Sequence, residues 1–553
     1  MKIKLSICLI NLLIVLLMWG TKAYGQDLPH LRKQGTATQL VVHGKPFLVR
    51  GGELGNSIAS NTEQLGQHWE KFKQLNMNTV VAPVYWDLTE PKEGKYDFRL
   101  VDSLIRDARN NRMKLVLLWF GSWKNSMSSY CPEWVKTDYQ RFPRARDRNG
   151  QPFEILSPFH KANYEADAKA FRALMQHIKK IDRQRVVIMV QPENEIGMVN
   201  HARDHSPKAN ELYAAKVPSA LIEYMQKNKA DLTPELLKAW AKSDFKTAGS
   251  WTELFGDSAK TEELFMAWYF AHYTEQVTKA GKQAYALPMF VNAALVRPGY
   301  EPGQHISAGP LPHLIDVWRA AAPSIDFIAP DIYYPNFTEW TERYTRSGNP
   351  LFIPEALRSN EASVNALYSI AEHDAMGFSP FGIEGIADVP ADLLSKSYSL
   401  VEQLEPLIMA HQGKGSMRGF LQINEQQRAP KQIRMGGYEM HIKFEYAPPP
   451  SLADGVINEA GDVSRGPRVP AGGLVIQLSE DEYIFAGIGI TITFDSTLPN
   501  EQAGIVYAES GEYVGGRWKN TLWNNGDQTH QGRHVRLVPG QFGIQKVKLY
   551  RYR

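Results

Sequence analysis

The sequence predicts an α/β protein, a (β/α)8 TIM barrel followed by a smaller C-terminal β-sandwich domain. Three observations predict it. Between about residues 45 and 390, eight short apolar runs alternate with longer stretches of helical period. Polar, chemistry-bearing residues end those runs. After about residue 395 the texture changes to short β-type runs separated by Gly and Pro. Runs that are apolar on both faces mark a parallel sheet covered on both sides, and eight of them over this length suit a closed barrel with insertions.

The expected barrel strands are 47–50, Thr79–Tyr85, 114–119, 186–191, 286–292, 325–329, 351–353 and 377–383. Amphipathic stretches at 63–75, Arg99–Asn110, 163–181 and 262–280 read as covering helices. The longest insertion, 200–258, follows the fourth strand and is rich in charge and helix formers. A doubly wound open sheet is the competing architecture. It would carry a glycine-rich phosphate turn after the first strand, and Gly51-Gly52-Glu53-Leu54-Gly55 lacks the dinucleotide spacing. A helix at 398–411 leads into β-type runs at 438–446, 474–478, 483–494, 504–508, 535–538 and 544–552, which fit a sandwich or jelly roll.

The first 25 residues read as a secretory leader. Lys2 and Lys4 precede an apolar run from Leu5 to Trp19, and Ala23-Tyr24-Gly25 supplies small residues at a cleavage site. The expected divisions are therefore a leader, 1–25, a barrel, 26–395, and a sandwich, 396–553, in an exported protein, periplasmic or secreted. Cleavage takes Lys2, Lys4 and Lys22 from the 62 basic residues and leaves them equal in number to the 59 acidic ones. A neutral chain gives no electrostatic case for nucleic acid, and no later segment is long and apolar enough for a membrane span. Only Cys131 then remains, so an intramolecular disulfide is not expected. Oligomeric state is left unassigned.

In a closed parallel barrel the active site is built at the carboxyl ends of the strands. The runs end, in order, near Glu53, at Tyr85-Trp86-Asp87, along Trp119-Phe120-Gly121-Ser122-Trp123-Lys124-Asn125, at Glu193-Asn194-Glu195, at Asn292, at Asp331-Ile332-Tyr333-Tyr334, at Glu355 and at Glu384. Carboxylates, amides and aromatics thus share one rim. Glycoside cleavage with retention needs one carboxyl to protonate the leaving oxygen and another to attack the anomeric carbon. Two glutamates across a barrel mouth can approach to the separation of about 5–5.5 Å that this route requires. Glu355 is the expected nucleophile and Glu195 the expected acid/base. Glu193 is a rival, because period-two alternation places both on one face.

Gln191-Pro192-Glu193-Asn194-Glu195-Ile196-Gly197 resembles the acid/base motif of glycoside hydrolase family 35, the β-galactosidases. The glutamate after the asparagine is the proton donor there, which implies Glu195 rather than Glu193. The run from Tyr85 to Phe98, with Glu90-Pro91 and Gly94-Lys95-Tyr96-Asp97-Phe98, is similar to that family's second-strand signature. The resemblance covers roughly 30–395. It implies a retaining exo-β-galactosidase, with Asn194 on the sugar 2-hydroxyl and Tyr333 beside the nucleophile. It further implies a bacterial subgroup with a C-terminal β domain, some members of which act on xyloglucan side chains. The chain departs from the pattern at Asp87-Leu88-Thr89-Glu90-Pro91, where the family carries Asn-x-His-Glu-Pro, and lacks the usual Cys-Ala-Glu triplet after the third strand.

Glu53, Trp119, Asn125 and Glu384 complete the expected substrate-binding set. Trp119 and Trp123 fit either a sugar platform or packing at the rim, and Asn125 either a hydroxyl contact or a loop-shaping role. His201 and His205 have the spacing of a helical metal pair but lack the accompanying Glu, so no metal is expected. Trp518 and Trp523 read as sandwich-core residues before polysaccharide binders. No cofactor is required, and a carbohydrate is the expected partner. A β-glucanase or mannanase, or a non-catalytic glycan-binding barrel, are the alternatives.

Overall fold

The computed structural model describes residues 28–296, 298–422, 429–445, 469–524 and 533–553. The leader-type segment lies outside them. Eight parallel strands form one sheet: β1 Val49–Glu53, β2 Thr79–Tyr85, β3 Lys114–Lys124, β4 Val187–Asn194, β5 Phe290–Ala294, β6 Phe327–Ile332, β7 Ile353–Ala356 and β8 Gly377–Pro380. Each pairs with the next in order, and β8 returns to β1. The seam between β4 and β5 is held by one bridge, Val190 to Met289. This is the TIM barrel the alternation predicts. Nearly every residue of these strands is buried, which is why the runs read as continuously apolar rather than alternating.

The longer helices are α1 Arg99–Asn110, α2 Lys161–Ile181, α3 Ala259–Ala284, α4 Phe337–Tyr344, α5 Ala362–Glu372 and α6 Leu393–His411. The helix expected over 63–75 is two short pieces, Thr62–Gly66 and Trp69–Gln74, separated at Gln67-His68. The insertion after β4 is helical, with segments Pro207–Ala214, Ser219–Lys227, Pro234–Ala241 and Trp251–Phe255. No helix among the described residues is long and apolar enough to cross a membrane.

Two antiparallel sheets follow. One has the order β9 Met417–Leu421, β12 Gly472–Gln477, β13 Glu482–Ile488, β18 Gly543–Tyr552, β15 Gln502–Val514, β16 Arg517–Trp523. The other runs β10 Lys431–Met435, β11 Tyr438–Phe444, β14 Ile490–Ser496, β17 Val535–Leu537. The single run expected at 483–494 is broken at Gly489, where the chain leaves one sheet for the other. Gly489 has φ +65, and a Cβ there would lie 3.1 Å from the Glu445 carbonyl oxygen. Only glycine takes that corner without strain.

Strands β12 and β13 are buried on both faces. Val475, Tyr483 and Phe485 join the sandwich core, while their neighbours Leu474, Ile476, Ile484 and Ala486 pack with Leu367 and Ile370 of α5 and Leu400, Val401 and Leu404 of α6. Period-two alternation thus splits one strand between two cores. Helix α6 runs through the expected division at 395/396 and touches both layers. Neither tryptophan of the sandwich reading sits in its core. Trp518 is half-buried against Tyr513 and donates to Glu509 at 2.8 Å, and Trp523 is exposed beside Tyr507 on the edge strand. Trp518 packs at the fringe of the cluster beneath α6 rather than inside the sandwich, and Trp523 lies on the mostly exposed flank of the edge strand.

Candidate active site

The carboxyl ends of β1, β3, β4, β5, β6 and β7 bring Glu53, Lys124, Asn194, Glu195, Asn292, Asp331 and Glu355 together. All seven are buried. Asp331 and Glu355 are paired across the β6–β7 ladder, and Lys124 and Asn194 across β3–β4. One carboxylate oxygen from each of Glu195, Asp331 and Glu355 lies within 4.8 Å of the others.

The backbone at the end of β4 sends Glu193 and Glu195 in different directions. Glu193 has φ 63 and Glu195 φ 44, both left-handed and uncommon for glutamate. These turns abolish the strand parity. Glu193 points away from the mouth, accepting the Trp123 amide at 2.8 Å near Asp167 of α2. Burial, then the Asp167 carboxylate, push its carboxyl well above the usual range. Glu195 points into the mouth instead. Its N–H donates to Asn292 Oδ1 at 2.9 Å, its carbonyl accepts Ser126 N–H at 3.1 Å, and Asn125 donates to its carboxylate. Asn292 Nδ2 donates in turn to Asp331 Oδ2 at 2.6 Å. Strain of this kind is held only where the surroundings over-determine it, and it concentrates at functional sites.

Electrostatics follow from crowding acids in a dry space. Burial is the largest effect on Glu195, Glu53 and Asp331, and the charge on Glu355 is the second for all three. The Glu195 carboxyl is pushed up to about 7. Glu53 and Asp331 are held well above the ordinary carboxylate range. Lys124 opposes the rise in each case. Its Nζ lies 2.9 Å from Asn194 Oδ1 and 5.1 Å from the Phe120 ring centroid. Tyr333, partly exposed, donates its hydroxyl to Glu355. Burial, then Glu355, push the Tyr333 phenol up, so it stays a donor.

Four buried atoms here have no partner among the described residues: Glu53 Oε1, Asn194 Nδ2, Asp331 Oδ1 and Glu355 Oε2. Unpaired polar atoms are rare in cores, so their convergence marks a place shaped for a polar ligand. Asn194 Nδ2 is a buried donor without a partner among the described residues, which suits a substrate hydroxyl. The oxygens of Glu195, Asp331 and Glu355 also have the spacing of an all-oxygen set for a hard cation. His201 and His205 form no such group; their rings meet edge to face at 6.1 Å.

Two expected residues stand elsewhere. Trp119 is fully buried outside the mouth, donating to Asp167 at 2.8 Å and packing on Phe171, and Trp123 is equally buried against Phe270 and Tyr273. Neither offers a face to a sugar, because β3 continues to Lys124 and carries them into the layer under α2 and α3. Glu384 accepts the Gly55 N–H and ties down the loop after β1, and its carbonyl accepts Lys71 Nζ at 2.8 Å. Its contacts are structural. Lys124, Asn292 and Asp331 were not in the expected set, although each ends or nears the end of an apolar run. The Glu90-Pro91 motif is a brace: the Glu90 carboxylate accepts Trp86 Nε1 at 3.0 Å and Gly94 N–H at 2.7 Å.

Residues 59–257 match the glycoside hydrolase 42 profile described as beta-galactosidase, and residues 394–536 match a domain of unknown function. A beta-galactosidase of Xanthomonas manihotis is 26% identical over 210 residues, covering 36% of this chain and 31% of the relative. Beta-galactosidase-1-like protein 3 of Homo sapiens is 26% identical over 214 residues, covering 37% and 28%. The chain thus spans about a third of the length of the curated relatives it matches. Among solved structures, the beta-galactosidase of Rahnella sp. R3 superposes with TM-score 0.45 at 16% identity, covering 66% of this chain and 57% of that one. That of Bacillus circulans sp. alkalophilus gives 0.44 at 13%, covering 65% and 57%.

Proposed function

We propose that this chain is a retaining exo-β-glycosidase, a β-galactosidase, with Glu355 as nucleophile and Glu195 as acid/base. The observation that carries the reading is the approach of the Glu195 and Glu355 carboxylate oxygens to within 4.8 Å. Retaining enzymes place these groups about 5–5.5 Å apart, whereas inverting ones leave about 6.5–9.5 Å for a water. The environments differ as the two roles demand. Glu195, held at about 7, keeps a proton to give at neutral pH, and Glu355, which accepts from Tyr333, is itself the charge that raises its neighbours.

In the first step Glu355 attacks the anomeric carbon while Glu195 protonates the departing oxygen. In the second Glu195 takes a proton from water, which displaces Glu355 and releases the sugar with its configuration kept. Asn194 Nδ2 is the donor for the 2-hydroxyl, and Lys124 fixes that amide by occupying Oδ1. The galactose preference, and galactose-capped plant glycans such as xyloglucan side chains as substrate, extend the reading. They rest on the Gln191–Gly197 and Tyr85–Phe98 resemblance to family 35 and on the matched beta-galactosidase profile. Export is proposed from the leader-type pattern alone.

The test is a panel of aryl β-glycosides with the first-formed anomer followed by NMR. Release of β-galactose that mutarotates to the α form supports the reading. First-formed α-sugar means inversion. Cleavage of glucosides or mannosides alone overturns the substrate and leaves the mechanism.

A further inference from the structure

We propose a second sugar-binding site in the cavity between the barrel rim and the C-terminal sandwich, where Gln422 reads a neutral sugar of the glycan held at Glu355. The proposal rests on the glycosidase reading. The cavity is about 300 Å³ and is lined from three directions. Tyr333 and Tyr334 come from the end of β6, Leu357 and Asn365 from beyond β7, and Gln422 and Pro470 from the sandwich. Its volume is at the small end for ligand sites, enough for one sugar ring rather than a long chain.

Three features define what fits. First, Tyr333 lines the cavity and its hydroxyl bonds the Glu355 carboxylate, so one side chain joins the cavity to the nucleophile. Second, Tyr333 and Leu357 are 37% and 50% exposed, apolar faces of the kind that stack on the C–H face of a sugar. Third, Gln422 is 6% exposed and its Oε1 has no hydrogen-bond partner among the described residues. Gln422 lines the cavity, and a buried amide oxygen left without a partner is costly unless a ligand hydroxyl donates to it. Its backbone is fixed, with the Gln422 N–H donating to the Ala471 carbonyl at 3.1 Å. No lysine, arginine or histidine among the described residues lines the cavity, while Glu361 does. That balance disfavours an anionic sugar and selects a neutral one.

The experiment compares wild type with Gln422→Leu on two probes, an aryl β-galactoside carrying one sugar and a β-galactosyl-terminated tetrasaccharide. Expected is a loss of about tenfold in kcat/KM on the tetrasaccharide, with the aryl galactoside within about twofold, as for one lost hydrogen bond. The unchanged aryl activity also reports that the variant folds. Equal losses on both probes, or none on either, overturn the proposal. If wild type cleaves neither, the glycosidase reading fails. Calorimetry with the tetrasaccharide then decides the cavity separately: binding weakened about tenfold by Gln422→Leu upholds it, and binding unchanged or absent overturns it.

Discussion

Asp331 lies directly opposite Glu355 across the parallel β6–β7 ladder, and Asn292 ties Asp331 to the Glu195 backbone. The geometry of the glutamate pair is therefore set by a chain of hydrogen bonds running through a third acid. Asp331→Asn keeps an acceptor for Asn292 and matches a protonated carboxyl in shape. It is expected to fold with wild-type stability, while Asp331→Ala strands the Asn292 amide and costs about 1–3 kcal/mol in urea unfolding.

Glu195 acts as a donor only while protonated. With its carboxyl at about 7, kcat/KM is expected to fall about tenfold per pH unit above that point. A pH–rate profile on an aryl galactoside checks this, and an alkaline limb beyond pH 9 would remove Glu195 from the role.

The same shift has a thermodynamic sign. Between 4.5 and about 7 the folded chain keeps a Glu195 proton that the unfolded chain releases. The contribution is complete below 4.5 and is lost as pH rises through about 7. Glu195→Gln should therefore lose less stability than wild type between pH 5 and pH 8, read as the difference between their Tm shifts.

Glu53 is fully buried beside Glu355, and both leave an oxygen without a donor. Held protonated, Glu53 can donate to the nucleophile. Glu53→Gln preserves a donor and should stay within about tenfold of wild-type kcat, whereas Glu53→Leu removes it and should cost about 100-fold. Equal loss in the two variants would refute the donor role.

Trp119 packs under α2, buried outside the mouth. Trp119→Phe is expected to leave KM unchanged and to lower stability by about 1–3 kcal/mol, through the lost bond to Asp167 and the smaller ring. A raised KM at wild-type stability would restore the platform reading.

The barrel was legible because buried parallel strands leave continuous apolar runs, and β2 and α1 fall on their expected bounds. Strand ends alone put Glu195, Glu355, Asn194 and Tyr333 on one rim, while the preference for Glu195 over Glu193 and the parts given to Asn194 and Tyr333 came from the resemblance to family 35. Two things were not legible. The left-handed turns at Glu193 and Glu195 have no local sequence signature, because their cost is met by contacts from β3 and β5. Trp119 and Trp123 misled for a related reason: β3 extends to Lys124, so residues that looked like a rim loop are still strand. Lys124, Asn292 and Asp331 stood at the right ends, but pattern gives no measure of how close strands bring them.

Because β12 and β13 divide their side chains between the sandwich interior and helices α5 and α6, the barrel's last two helices are also the floor of the second domain. A chain truncated near residue 395 would bare Leu367 and Ile370 to water, and one begun there would bare Ile476 and Ile484. Neither half is expected to be made alone in soluble form, and the intact chain should melt in a single transition. Any glycan cleft at the junction then inherits the rigidity of a continuous core rather than the play of a hinge.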